Sequence, residues 1–185
     1  MRLVPVRRRR LLVVLGSVIV LTAAAVGYWA VFVRSTVDPG RELALQIAIA
    51  DHLQQNHWGS GDQRARWFCE VRVIEEDQSS EESEVGFLTM CNQFSAERGE
   101  LLNSSGEVGP KLAIVTSPPN PVEVLRIESP GDGSAYSPWI KANFSWTGAK
   151  KLHRLQASEV RNLENATRDK ARAAFGLPPD APVHR

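Results

Sequence analysis

Apolar residues run without a single charge from Leu11 to Val33, and no other uncharged run in the chain approaches that length. As a helix these 23 residues would extend about 34 Å at ~1.5 Å per residue, enough to cross a hydrocarbon core of about 30 Å. Tyr28 and Trp29 fall toward the far interface, where aromatic side chains are favoured. The hydrophobic pattern then shortens and becomes periodic. In "TVDPGRELALQIAIADHLQQNHW", Leu43, Ile47 and Ala50 or Asp51 form one stripe, and Leu45, Ile49 and Leu53 an adjacent one. With Asp38 as N-cap and Pro39 at the first helical position, this spacing predicts a helix over about 40–57.

After the break "GSGDQ" (59–63) the pattern turns strand-like in "RWFCEVRVIE", and again in "EVGFLTMCNQF" beyond the acidic stretch "EEDQSSEESE". An antiparallel hairpin turning near Ser80 makes residues whose numbers sum to about 160 face each other, so Val73 meets Phe87 and Cys69 meets Cys91. Directly opposed strand positions can come close enough for a disulfide. A bridge closing a loop of about 23 residues would contribute roughly 3 kcal/mol in the chain-entropy model. The alternative is a pair of buried free thiols. The acidic stretch lacks the ordered spacing and central glycine of a calcium loop and reads as a solvated hairpin tip.

Beyond Phe94, "SAERGELLNSSGEVGP" reads as polar turns around the apolar pair Leu101 and Leu102. "KLAIVTS" and "VEVLRIES" then predict a second hairpin around Pro118 to Pro121, with Val115 opposite Val124 and Ile114 opposite Leu125. The segment "SPGDGSAYSPWIKANF" leaves the last strand through turn residues that include Asp132 and Gly133. Ser137 as N-cap and Pro138 at the first position would start a short helix whose face Trp139, Ile140, Asn143 and Phe144 docks on the sheet. Finally, "GAKKLHRLQASEVRNLENATRDKARAAFG" predicts a basic helix over 150–176 that ends at Gly176, with Leu152, Leu155, Val160, Leu163 and Ala166 as a thin apolar stripe. Residues 177–185 read as a flexible tail. One helix, about four antiparallel strands that form a curved sheet, and a C-terminal helix make an α+β fold.

Charge adds orientation. Arg2 and Arg7 to Arg10 precede the apolar run and Arg34 alone follows it closely, so residues 1–10 form a cytoplasmic basic tip and 11–33 a single-pass membrane anchor. The rest of the chain is then extracytoplasmic. A signal peptide cleaved near Ala23 to Ala25 would export the same domain, but the apolar run continues past those alanines to spanning length. The near-neutral total of +1 hides an acidic body at 34–149, with 9 basic and 17 acidic side chains, and a basic segment at 150–185, with 8 and 4. A nucleic-acid footprint would need basic residues gathered on the body, so no nucleic-acid partner is expected. The basic helix is expected to lie along its own acidic body; docking of an anionic partner or lipid is the alternative.

The order "WFCEV", "FLTMCNQF", "PKLAIV" and "VEVLRIESPGDGSAYSPWIKANF" resembles uncharacterised membrane-anchored or secreted bacterial envelope proteins with a small cystatin/NTF2-like domain. The resemblance spans about 38–146 and rests on this order and on one turn motif. It departs at Phe144-Ser145-Trp146, where those proteins tend to have Phe-Pro. It implies no reaction and no catalytic residue to carry over.

Chemistry is sparse. Cys69 and Cys91 lie far apart in sequence and His52 and His57 lie five apart on a helix, so no metal-ligand spacing appears and no cofactor is expected. Ser134 and Ser137 lack a nucleophile-elbow setting. The expectation is therefore a membrane-anchored binding or accessory module without catalysis, holding a ligand on the sheet beside Trp67, Phe87, Trp139 and Phe144 or simply packing those rings as core. A protein partner would meet the basic helix. The alternatives are a pocket enzyme using Asp51, His52 or Glu70 as acid or base, and a structural subunit of a membrane complex.

Overall fold

The computed structural model describes residues 37–56, 64–79 and 81–184. The expected basic tip and membrane anchor lie outside the described residues, as do His57 and the hairpin turn at Ser80. Among the described residues no helix is long and apolar enough to cross a membrane.

Helix α1 covers Pro39–Asn56. Its first turn is closed by Asp38, whose Oδ2 accepts hydrogen bonds from the Gly40 and Arg41 amides at 3.1 Å, so the expected N-cap is in place. Only the second of the two expected stripes is buried. Leu45, Ile49 and Leu53 pack inward with Ala50, while Leu43 and Ile47 remain more than half exposed.

Strands β1 (Arg66–Gln78), β2 (Glu82–Glu97), β3 (Glu100–Thr116) and β4 (Val124–Glu128) follow as an antiparallel meander in the order β1-β2-β3-β4. A short β5 (Val183–His184) pairs parallel with β3, so the open sheet is mixed. The register of the first hairpin is the expected one: Val73 pairs with Phe87 and Cys69 with Cys91. The cysteines are bridged, with their Cα atoms 4.1 Å apart. In the second hairpin Val115 pairs with Val124, but a bulge places Ile114 opposite Arg126 instead of the expected Leu125.

Three further expectations about strands and the C-terminal tail are corrected. First, the polar stretch after Phe94 is not a series of turns. Arg98 and Gly99 form a two-residue reversal with φ of 51° and 86°, and β3 then runs unbroken through Gly106, Gly109 and Pro110. Glycine and proline are tolerated because neither β4 nor β5 pairs with residues 103–111, leaving that side of β3 an open edge. Second, the acidic stretch is not wholly a solvated tip: a bulge between Val73 and Glu75 turns Glu75 and Glu76 to opposite faces, and both are buried. Third, residues 177–184 are not loose. The Ala181 carbonyl accepts two hydrogen bonds from Arg172, the Leu101 amide donates to Pro182, and Ala181 is buried.

A 3₁₀ turn (Gly133–Ala135) leads into α2 (Tyr136–Asn143), and α3 spans Trp146–Phe175. Ser137 and Pro138 lie inside the first turn of α2 and do not start it. The preceding 3₁₀ turn already supplies helical backbone at Ala135, and neither Asp132 nor Ala135 caps with a side chain. The basic helix likewise begins four residues earlier than its expected start at 150, because Ser145 caps it. It ends as expected at Gly176, which has φ 66°.

The sheet is covered on both faces. On one, α1 packs with Cys69, Val71, Val73, Val85, Phe87, Cys91, Ala113 and Val115. On the other, α3 packs Leu152 and Leu163 over Ile74, Leu88 and Met90, and Ala171 over Phe68, Phe94 and Leu101. The apolar stripe of the basic helix therefore closes a core of its own.

Candidate functional site

Helices α2 and α3 meet at the two residues Phe144 and Ser145, and each arm is pinned to the sheet beneath that junction. Phe144 is buried over Gly86, where an added Cβ would lie 2.6 Å from the ring, and Trp139 meets Phe144 edge-on at 6.1 Å. Gly86 is thus the niche that seats α2.

The start of α3 is held by Glu75. Its Oε1 accepts the Ser145 amide at 2.7 Å, and its Oε2 accepts the Ser145 hydroxyl. The same hydroxyl accepts the Gly148 amide at 2.9 Å. Gly148 has no Cβ because the Glu75 carboxylate occupies that position. A buried carboxylate at a helix N-terminus is stabilised by the helix dipole and by the amide it accepts. On the other face of the sheet, Glu76 Oε1 accepts Arg41 Nε at 2.7 Å and so ties α1 down.

From this hinge α2 and α3 diverge around an open groove of about 420 Å³, lined by Tyr136, Ser137, Ile140, Lys141, Ala149, Leu152 and His153. That volume lies within the range of small-ligand sites, roughly 300–1,000 Å³. The floor is apolar. The rim carries two hydroxyls, an ammonium and an imidazole, none of which has a hydrogen-bond or ion-pair partner among the described residues.

Elsewhere most of the cations are engaged. Arg41 pairs with Glu76, Arg72 with Glu42, Lys111 with Glu107, Arg126 with Glu128, Arg168 with Glu164, Lys170 with Glu70 and Arg172 with Asp169. Arg66 stacks over Phe68 and Phe175. Lys141, Arg154 and Arg161 have no carboxylate partner among the described residues, while Lys150 lies over the exposed Trp146 ring, 4.7 Å from its centroid. Lys151 donates to the Ile74 carbonyl at 2.9 Å. Lost hydration at that contact and the Arg72 charge lower the pKa of Lys151, with Glu42 and Glu75 opposing.

The residues singled out from sequence are not gathered into one site. Trp67 and Phe87 lie on the α1 face, where Phe87 is fully buried, whereas Trp139 and Phe144 lie on the α3 face. Asp51 is exposed and His52 half-buried on α1, while Glu70 is paired with Lys170 at 2.6 Å on the α3 side. Among the described residues no group of His, Cys, Asp and Glu could hold a metal ion. The groove residues Tyr136, Lys141 and His153 were missed, although a signal was present: no Asp or Glu occurs from Gly133 to Ser158, where Lys141, Lys150, Lys151, His153 and Arg154 all fall. That acid-free run straddles the boundary at 150 between the acidic body and the basic segment. No protein-family model, curated protein or solved structure matches the chain.

Proposed function

We propose that the chain is a membrane-anchored extracytoplasmic binding or accessory module that catalyses no reaction, with a cystatin/NTF2-like domain that presents the α2–α3 groove to its ligand. One observation carries the reading: Lys141 at the groove and Arg154 and Arg161 on the adjoining helix have no carboxylate partner among the described residues, while most cations elsewhere are consumed by structural pairs. The uncharged run from Leu11 to Val33 with arginines before it supports the anchor and its orientation. The Cys69–Cys91 bridge supports the oxidising side of the membrane. A helix followed by an antiparallel meander supports the cystatin/NTF2-like reading. The groove and not the sheet face is the binding surface, since both sheet faces are filled by core side chains.

The test is purification of the intact protein in detergent from its native membrane, beside a Lys141→Glu/Arg154→Glu variant, with mass spectrometry of retained proteins and small molecules. A species held by the wild type and absent from the variant is the expected result. Identical sets from both proteins would remove the groove as the binding site.

A further inference from the structure

We infer that the α2–α3 groove takes a single-chain amphipathic anion, its hydrocarbon part along Ile140, Ala149 and Leu152 and its anionic head against Lys141 and His153. The inference rests on the binding reading above and adds the class of ligand. Three features select that class. The floor contributed by Ile140, Ala149 and Leu152 offers aliphatic surface and no charge. The rim offers the donor-only ammonium of Lys141, the imidazole of His153 and the hydroxyls of Tyr136 and Ser137, all of which can donate to an anionic oxygen. No carboxylate lines the groove, so no acidic side chain of the lining opposes an anion beside Lys141. The nearest buried acid toward the hinge, Glu75, is consumed by the Ser145 amide and hydroxyl.

Size argues in the same direction. The cavity of about 420 Å³ is bounded by the eight residues of α2 and one stretch of α3, which suits a small ligand better than an extended acidic peptide. Apolar burial would supply affinity, and the charged head would set the orientation.

The experiment uses the full chain in nanodiscs of zwitterionic phosphatidylcholine, titrated calorimetrically with octanoate, octyl phosphate, octanol and octyltrimethylammonium, with empty discs subtracted. Saturable one-to-one binding is expected for octanoate and octyl phosphate and none for the neutral or cationic chains; the tighter of the two anions identifies the head as carboxylate or phosphate. Lys141→Ala/His153→Ala should weaken binding by about tenfold or more, in line with the loss of charge-assisted contacts. Both residues are exposed, and an unchanged unfolding midpoint would confirm that the variant is folded. Ile140→Ser should weaken the same two ligands while leaving the preference for anions. Absence of saturable octanoate and octyl phosphate binding, or binding unchanged in the double variant, overturns the inference. If the octyl probes fail yet a co-purified species is still lost from the Lys141→Glu/Arg154→Glu variant, the groove remains a binding site and the ligand is of another class, such as an acidic peptide.

Discussion

At the residue scale, two positions carry consequences that their chemistry alone would not suggest. Gly86 pairs with Glu75 in the middle of the sheet, where a glycine ordinarily costs stability, yet a Cβ there would enter the Phe144 ring. Gly86→Ala should therefore destabilise the fold by about 1–3 kcal/mol, and the smaller side chain of Phe144→Leu should recover part of that loss in the double variant; urea unfolding measures both. Lys151 is the second. Because burial of its ammonium and the Arg72 charge lower its pKa in the folded state, the unfolded chain binds more protons over the interval below 10.5. Its cost to stability is fully present at neutral pH and relieved as pH rises toward that value. The stability of the wild type relative to Lys151→Met should accordingly increase between pH 7 and pH 10, read from denaturation midpoints across that range.

At the scale of elements, the bulge in β1 decides how the helices attach. Strict alternation would place Glu75 with Val71 and Val73 on the α1 face. The extra residue moves it to the α3 face and leaves Glu76 facing α1, so consecutive carboxylates anchor helices on opposite sides of the sheet. Ser145→Ala removes the cap of α3 and should cost about 1 kcal/mol. Glu75→Ala should cost more, since it removes the carboxylate that accepts from both the half-buried Ser145 amide and its hydroxyl. The difference between the two is measurable by chemical unfolding. Because Glu75 also orients α3 relative to α2, loss of ligand binding in a folded Glu75→Gln protein would show that the hinge positions the groove.

Across the described molecule, the sheet carries core on both faces, and the disulfide lies within the core beneath α1. Cys69 is on the edge strand β1, so the bridge fixes that strand to β2 as well as restricting the unfolded chain. Replacing both cysteines by serine should lower stability by about 2–4 kcal/mol, and the reduced wild type should fall by a similar amount; guanidinium unfolding with and without reductant tests this.

Local pattern by itself determined the first helix and its Asp38 cap, the register that brings Cys69 to Cys91, and the Gly176 stop of α3, because each depends on spacing along a single element or across one tight hairpin. The α+β class follows from the same patterns. What lies between elements was decided by the tertiary structure. Whether Leu43 or Leu45 faced the core depended on which side of α1 met the sheet, and the acidic Glu75 and Glu76 became structural only when a bulge aimed them at two helices. The thin stripe of α3 became a core once the sheet supplied its other half. The groove belongs to the same category. Tyr136 and His153 are seventeen positions apart, and nothing local brings them together; Glu75 and the absent side chain of Gly86 fix the two helices that do.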